Sequence, residues 1–341
     1  MNNMLNNITL PILDDLHVHL REGEKAKQTL VQTAIGGAGR ILAMPNLSKP
    51  LTTAILAKEY MDFINSNAHG LEVLFSLYLG QETTPQEILK AKSFGISNLK
   101  MMPAGVSTNS HFDIDLLKEF YPTFEAMQQS GFIFNIHGEV PSDFKHNICV
   151  MNAEAKFLPI ITDIQKNFPK LKLALEHITS KESVEFVKNN QSENLVATIT
   201  AHHLDLTVDD WAGKIHNYCK PVAKYPVDCQ ALQNIVKSGH PKFFLGSDSA
   251  PHIRETKETA CGCAGVYTAS YLASYLAETF QRIDCMDKLP NFTSKFGADY
   301  YQLPYQTRTM NLIKKEIKVA SIINGVVPYR SGEKLGWSIE N

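Results

Sequence analysis

The sequence predicts an α/β fold, a (β/α)8 TIM barrel, and three observations lead to it. Eight short apolar runs, often rich in β-branched residues, alternate with segments whose apolar residues recur at three- and four-residue spacing. Polar side chains stand at the ends of most runs. The 341 residues are enough for one such barrel. A doubly wound open sheet is the alternative, but no Gly-x-Gly-x-x-Gly follows the first run, which disfavours its dinucleotide-binding form.

The eight runs are the expected strands, and the segments between them are the expected helices. We place the strands at residues 12–19, 39–45, 72–79, 95–101, 131–137, 171–177, 195–200 and 242–248. We place helices at 25–35, 52–67, 114–129, 153–167, 181–188, 228–237 and 264–280. A further helix follows the third strand, with Thr84 as N-cap, Pro85 first and Glu87 completing a capping box. Residues 1–341 are expected to form one domain, with the barrel at about 10–290 and a partly helical C-terminal extension at about 291–341.

Composition narrows the class of protein. A net charge of -2 gives no reason to expect nucleic acid or an anionic membrane as a partner. We see no basic-then-apolar leader and no run long enough to span a bilayer, so a cytoplasmic protein is expected. Six cysteines in a chain of this length do not indicate a disulfide scaffold. Cys261 and Cys263 have no partner pair at zinc-finger spacing, and we expect free thiols.

The first strand ends in a stretch that favours metal binding. Side chains alternate between the faces of a strand, so His17, His19 and Arg21 point the same way. Two imidazoles on one face of a rigid strand can hold a metal ion, and Arg21 can receive a carboxylate beside it. The alternative is a half-exposed strand that carries two ordinary polar residues.

The other strands end in polar residues of the same chemistry. These residues are Asn46, Lys100, His137, His177 and Asp248. Since the carboxyl ends of barrel strands share one face, we expect a metal site there. Four imidazoles and one carboxylate exceed what a single tetrahedral zinc takes from protein, which favours two metals. A lysine that has added carbon dioxide becomes a carbamate and can bridge two metals, whereas an unmodified Lys100 would extend to the barrel rim.

Seven motifs in the chain resemble those of one family. They are His17-Val18-His19-Leu20-Arg21, Met44-Pro45-Asn46, Lys100 with Pro103-Ala104, His137-Gly138-Glu139, Glu176-His177-Ile178-Thr179, Gly246-Ser247-Asp248-Ser249-Ala250-Pro251-His252 and Cys261-Gly262-Cys263-Ala264-Gly265. In this order they resemble dihydroorotase, of the short bacterial (class II) type within the amidohydrolase superfamily. The resemblance runs from about residue 13 to the C-terminus.

The resemblance implies an enzyme and its metal centre. The implied activity is the reversible cyclisation of N-carbamoyl-L-aspartate to L-dihydroorotate plus water, in de novo pyrimidine (UMP) biosynthesis. It implies two Zn²⁺ per chain, with a bridging hydroxide and with Asp248 as general acid and base. His17, His19 and Asp248 are the implied ligands of one zinc, and His137 and His177 those of the other. Lys100, as N6-carboxylysine formed with CO2, is the implied bridge.

The resemblance also implies substrate contacts. Arg21, Asn46 and His252 match positions that hold the substrate carboxylate, and His252 is expected to add a charge-assisted hydrogen bond. Lys220 and Ala264 match positions that contact the ring, and His19 and His137 are expected to touch the substrate as well.

Some positions depart from the family pattern. Ser107 and Thr108 lie in a loop that closes over substrate in the family, or else in an ordinary surface turn, and Gly105-Val106-Ser107 differs from its usual sequence. Met102 and Lys220 depart too, and we expect His202 and His203 to be structural, or to support the site without binding metal. A homodimer is possible.

Three alternatives remain. A hydantoinase-like enzyme usually carries a β-sandwich built from both termini, and the dozen or so residues before the first strand leave no room for its N-terminal half. A non-catalytic assembly subunit would be expected to lose Lys100 or Asp248 first. A mononuclear deaminase would need no modified lysine.

Overall fold

Parallel strands arranged as a barrel form the centre of the molecule. The computed structural model describes residues 6–106 and 112–340. Strand β1 (Asn7–Pro11) precedes the barrel. The barrel strands are β2 (Leu13–Val18), β3 (Ala38–Ala43), β4 (Glu72–Tyr78), β5 (Asn98–Met101), β6 (Ile133–His137), β7 (Lys172–Glu176), β8 (Leu195–Ile199) and β9 (Phe243–Leu245). Each lies beside its neighbour in the chain, and all pairs are parallel.

The first and last barrel strands meet at their carboxyl ends. Val18 forms a parallel bridge with Ser249, and the Asp248 amide donates to the His17 carbonyl at 2.9 Å. The predicted (β/α)8 barrel is therefore confirmed. Closure also brings His17 and Asp248, which are far apart in sequence, to the same edge.

Helices connect the strands, mostly where apolar spacing predicts them. They are α1 (Gly23–Ile35), α2 (Ala54–Asn65), α3 (Pro85–Ser93), α4 (Tyr121–Ser130), α5 (Ala153–Asn167), α6 (Lys181–Asn189), α7 (Val208–Trp211), α8 (Pro226–Ser238), α9 (Arg254–Lys257), α10 (Leu272–Arg282) and α11 (Phe296–Tyr301). Shorter 3₁₀ turns are Ile114–Phe120, His202–Leu204, Ile215–Asn217, Ala269–Tyr271 and Met286–Lys288, and Asn291–Lys295 is a π-helical turn. No helix among the described residues is both long enough and apolar enough to cross a bilayer.

Two local predictions were wrong. The helix predicted at 264–280 begins only at Leu272, because Val266 is extended and its carbonyl accepts from the Ala250 amide at 3.0 Å. At α3, Thr84 Oγ1 does cap the helix by accepting from the Glu87 amide. The Glu87 carboxylate, however, accepts from the Ala54 amide at 2.6 Å, because the Thr84 amide already donates to a carbonyl, that of Glu82.

The C-terminal segment closes the amino end of the barrel. Apolar side chains that include Leu16, Ala174 and Phe244 form a cluster with Tyr301 of α11. A Cβ on Gly297 would lie 2.4 Å from Leu16 Cδ1, so a larger residue there would have to displace the buried Leu16 side chain. The Tyr300 hydroxyl donates to the Leu173 carbonyl at 3.0 Å. Part of the predicted extension therefore forms the barrel floor.

Both termini build a small antiparallel sheet beside the barrel. In it, β1 pairs with β10 (Thr309–Ile313), which pairs with β13 (Ser338–Ile339), while β11 (Ile317–Lys318) and β12 (Lys334–Leu335) form a separate ribbon. The residues before the barrel contribute one strand, β1, to this sheet, and not the N-terminal half of a β-sandwich.

Candidate functional site

The six predicted metal ligands all lie at the carboxyl end of the barrel. They are His17, His19, Lys100, His137, His177 and Asp248, and each is at most 6% exposed. The sequence therefore assigned their shared location correctly, since parallel strands carry their last residues to the same face. Burial of so many ionisable groups is costly unless they pair with one another or bind an ion.

Three ligand atoms converge at the junction of β2 and the segment after β9. Asp248 Oδ1 lies 3.3 Å from His17 Nε2 and 3.0 Å from His19 Nε2. Burial disfavours a charged His17, yet the Glu176 and Asp248 carboxylates outweigh it and raise its pKa to about 9. A site that attracts a proton this strongly also attracts a metal cation. Two imidazoles and one carboxylate fit a divalent transition metal.

A second pair of histidines lies next to this group. The rings of His137 and His177 are 4.8 Å apart, and that of His177 is 4.9 Å from the His17 ring. His137 Nε2 is hydrogen-bonded to Glu139 Oε2 at 2.9 Å. Its Nδ1 has no hydrogen-bond partner among residues 6–106 and 112–340, and neither has Nδ1 of His177. A buried imidazole with one nitrogen held by a carboxylate and the other vacant is typical of a metal ligand.

Lys100 lies between these histidines and a carboxylate. Its ammonium contacts the Glu176 carboxylate, and both side chains are fully buried. The alternative that Lys100 extends to the barrel rim is therefore wrong. Burial lowers the pKa of Lys100, with Glu176 and Asp248 opposing the shift. A lowered pKa increases the fraction of neutral amine, which is the form that reacts with carbon dioxide.

Sequence reasoning missed Glu176 as a functional residue. Its Oε1 lies 3.2 Å from His17 Nδ1 and accepts from Asn135 Nδ2 at 3.2 Å. Burial disfavours its charge, but His17 and Lys100 lower its pKa to about 2. Strand alternation sends neighbours to opposite faces, so the pattern of β7 alone does not place Glu176 and His177 together in the site. His177 has a φ of 43°, and this turn of the backbone brings both side chains to the site.

Left-handed backbone recurs at three site residues. Arg21, His177 and Asp248 have φ values of 71°, 43° and 48°. This conformation is unfavourable for residues other than glycine, at a cost of order 1–3 kcal/mol each. Such a conformation is retained where the surrounding structure holds a side chain in one direction. Its occurrence at these three residues therefore supports a functional site.

Arg21 and His252 form the predicted carboxylate-binding end of the site. Arg21 Nη2 donates to His252 Nε2 at 2.9 Å, and its Nε donates to the Pro251 carbonyl at 3.2 Å. Burial and the nearby guanidinium lower the pKa of His252 to about 2. His252 is therefore neutral and accepts from Arg21, and the hydrogen bond that we expect from it to the substrate carboxylate stays a prediction. Burial lowers the pKa of Arg21 to about 10, which leaves it charged at neutral pH.

A buried lysine holds the two loops that carry the predicted ring contacts. Lys257 Nζ donates to the Tyr218 carbonyl at 3.0 Å and to the Gly265 carbonyl at 2.5 Å. These carbonyls lie next to the ring-contact positions, two residues before Lys220 and one after Ala264. The Gly265 amide also donates to the Tyr218 carbonyl at 3.0 Å. One side chain thus fixes the spacing of both loops.

The remaining predicted residues fall into three groups. Asn46 is buried in the segment after β3. The Lys220 ammonium donates to the Gly105 carbonyl at 2.9 Å, which leaves its backbone for a substrate contact. Ser107 and Thr108 lie outside the described residues.

His202 and His203 lie with Cys219 in a second buried group. His203 Nδ1 is bonded to Thr200 Oγ1 at 2.9 Å and its Nε2 to the Pro221 carbonyl at 3.0 Å. Both ring nitrogens of His203 are thus occupied by the protein. This arrangement favours a structural role for His203, whereas neither ring nitrogen of His202 has a hydrogen-bond partner among the described residues.

Comparison with known proteins identifies the family. A probable dihydroorotase of Schizosaccharomyces pombe is 43% identical over 333 residues, covering 97% of this chain and 98% of that protein. A dihydroorotase of Shewanella sp. strain ANA-3 is 43% identical over 345 residues, covering 98% of this chain and 99% of that protein. The chain belongs to the dihydroorotase family. No family model matches it.

The dihydroorotase fold extends over the described chain. The crystal structure of Saccharomyces cerevisiae dihydroorotase with 5-fluoroorotic acid superposes with a TM-score of 0.94 at 38% identity, covering 98% of this chain and 99% of that chain. An L-hydantoinase of Arthrobacter aurescens superposes at 0.81 with 19% identity, covering 98% of this chain and 83% of that chain. That lower identity shows a shared fold only, so the hydantoinase alternative is not favoured.

Proposed function

We propose that this protein is a dihydroorotase, which interconverts N-carbamoyl-L-aspartate and L-dihydroorotate with water. The observation that carries the proposal is the position of Arg21, which follows β2 in the same short segment as His19 and lies four residues after His17. A substrate held by its carboxylate at Arg21 would have its amide over the histidine cluster. The dihydroorotase relatives support the same activity. The small-molecule product would enter pyrimidine biosynthesis.

The residues present fit the implied metals, because vacant imidazole nitrogens and a carboxylate oxygen converge there. His17, His19 and Asp248 would hold one Zn²⁺, and His137 and His177 the other. Lys100, as N6-carboxylysine, would reach both. When bound, the metals would supply a nucleophile from water at neutral pH and polarise the amide carbonyl.

The protein's own groups orient the substrate and move a proton. Arg21 can pair with the substrate carboxylate through two parallel hydrogen bonds, while His252 and the Pro251 carbonyl hold the guanidinium in place. Burial opposes ionisation of Asp248, but His17 and His19 lower its pKa well below the usual value. Asp248 is therefore an anion that can take a proton from the attacking water and pass it to the ring nitrogen.

Substrate charge separates this function from that of a hydantoinase. Dihydroorotate carries a carboxylate on its ring, and Arg21 is a partly buried cation adjacent to the histidines. A site for a neutral ring would leave this cation without an anionic partner, at a cost in binding. We also propose a cytoplasmic location, one domain for residues 1–341 with the barrel at about 10–290, and a homodimer.

One purified sample tests the function. Metal ions per chain are counted, and ring opening of dihydroorotate is followed by ultraviolet absorbance with hydantoin as control substrate. About two metals and selective opening of dihydroorotate are expected. A preference for hydantoin would mean that the substrate is a hydantoin and not dihydroorotate. Absence of turnover after reloading with zinc and bicarbonate would favour the non-catalytic subunit.

A further inference from the structure

A buried row of alternating charges lies behind His137 and His177. We call it the charge bridge, and it consists of Glu139, Lys224 and Glu154. Their exposed fractions are 3%, 2% and 2%. Lys224 Nζ lies 3.8 Å from Glu139 Oε1 and 3.9 Å from Glu154 Oε2. Its ammonium therefore lies between two carboxylates that solvent does not reach.

One end of the charge bridge holds His137. Glu139 Oε2 is hydrogen-bonded to His137 Nε2 at 2.9 Å, while the other oxygen of the same carboxylate faces Lys224. This bond fixes the ring orientation of His137 and leaves its Nδ1 without a hydrogen-bond partner among the described residues. Movement of Glu139 would therefore move the vacant nitrogen.

The other end holds the segment that follows His177. Glu154, in the first turn of α5, accepts from the Thr179 amide at 2.9 Å and from the Ser180 amide at 3.0 Å. It also accepts from the Ser180 hydroxyl at 2.7 Å. Thr179 is two residues after His177, whose φ of 43° depends on the chain being held on both sides.

Lys224 is the element that the two ends share. Two buried carboxylates without a cation between them repel each other and lose hydration, which is strongly unfavourable. We propose that Lys224 is a positioning residue for the metal held by His137 and His177, because its ammonium lies between the two carboxylates that hold His137 and the segment after His177. The inference rests on the proposed function only in assuming that a metal binds these two histidines.

The inference separates the two metal positions. The charge bridge contacts His137 directly and adjoins His177 through Thr179. Among the contacts that involve described residues, none of its members is bonded to His17, His19 or Asp248. Loss of Lys224 should therefore weaken one metal and leave the other nearly unchanged, whereas a general loss of stability would affect both.

Stepwise cobalt binding tests this separation. The metal-free wild type, Lys224→Met and Lys224→Arg are titrated with Co²⁺, and the visible spectrum is followed. Lys242→Met is the matched control, because Lys242 Nζ donates to the carbonyls of Asn190 and Ser192, away from the metal ligands. For Lys224→Met we expect a first equivalent bound as in the wild type and a second bound about 10–100-fold more weakly. Lys224→Arg, which keeps the cation, should lose less.

The outcomes are distinguishable. Equal binding of both equivalents by Lys224→Met and the wild type overturns the inference, and so does an equal loss in the methionine and arginine variants. Failure of the wild type to bind a second equivalent contradicts the proposed function instead. Binding of the first equivalent with its normal spectrum shows that a variant is folded. If Lys224→Met does not fold, Lys224→Gln takes its place.

Discussion

The Glu176 carboxylate contacts the Lys100 ammonium at the centre of the barrel, where neither side chain is exposed. The same carboxylate lies 3.2 Å from His17 Nδ1. Glu176 thus neutralises the lysine and orients one of the proposed zinc ligands. If Lys100 becomes an anionic carbamate, the contact with Glu176 turns repulsive, and metal cations must then balance the charges.

The first prediction concerns Glu176→Gln. It removes the anion that holds His17 Nδ1, so His17 becomes a weaker and less ordered ligand. We expect about 10–100-fold weaker binding of metal, with a parallel fall in turnover at limiting metal. Metal content after dialysis against a graded chelator measures the first effect.

Asp14→Asn is the control for Glu176→Gln. Asp14 is also buried, and its Oδ2 lies 2.8 Å from Arg40 Nη1. Both residues lie near the starts of their strands, β2 and β3, whereas the site lies at the carboxyl ends. The Asp14→Asn substitution should lower the stability of the folded protein and leave metal binding as in the wild type. Equal metal loss in the two variants would mean that Glu176 acts only through general stability.

Sequence alone located the proposed ligands but not the groups that support them. His17, His137 and Asp248 were predictable because strand ends in a barrel must share one face. Glu176 was not, because nothing in the sequence indicates the positive φ of His177 that brings two neighbours inward. Lys224 and Glu154 were not predictable either, because they lie far apart in the chain and neither belongs to a recognisable motif.

The loops were harder to predict than the strands for a similar reason. Residues 264–268 have helical apolar spacing, yet Val266 bridges Ser249 and the helix starts later. Tertiary pairing overrode the local pattern there. The neutral state of His252 also depends on a contact with Arg21 that only the fold creates.

The second prediction concerns Lys100→Ala. Removal of the amine removes the proposed bridge, so at least one metal should be lost and turnover should fall to background. Small carboxylic acids should restore part of the activity, because they can take the place of the carbamate. Metal analysis and rescue by acetate or propionate measure this, and an unchanged metal content argues against the carbamate.

The third prediction concerns Asp248→Asn. The amide keeps an oxygen near His17 and His19 but cannot accept a proton, so metal should largely remain while turnover falls about 100–10,000-fold. Metal content and kcat measured on the same sample distinguish a loss of proton transfer from a loss of metal. Near-normal turnover would remove Asp248 from the proton-transfer role.

The fourth prediction concerns Arg21→Met. Loss of two charge-assisted hydrogen bonds to the substrate carboxylate should reduce kcat/KM at least about 100-fold, mainly through KM. Arg254→Met is the control, because Arg254 is exposed and pairs with Glu258 four residues later. Metal content should be normal in both. A normal KM in the Arg21 variant would place the carboxylate elsewhere.

The fifth prediction concerns Lys257, which ties the Tyr218 and Gly265 loops together. Burial lowers its pKa from 10.5 to about 8 in the folded protein. Between these two values the unfolded chain still binds a proton that the folded chain has released, so the stability of the folded state rises with pH. The rise attributable to Lys257 is about 3 kcal/mol at most, at 1.36 kcal/mol for each pKa unit.

Lys257→Met removes that titration. The free energy of unfolding of the wild type minus that of the variant should therefore increase as pH is raised from about 7 to about 10, in urea titrations of both proteins. Lys188→Met, which removes an exposed lysine, should show a flat difference over this range. The variant should also raise KM, since Tyr218 and Gly265 lose the shared donor that spaces the loops. A pH-independent stability difference together with a normal KM would show that Lys257 is neither strained by burial nor needed to hold the substrate loops.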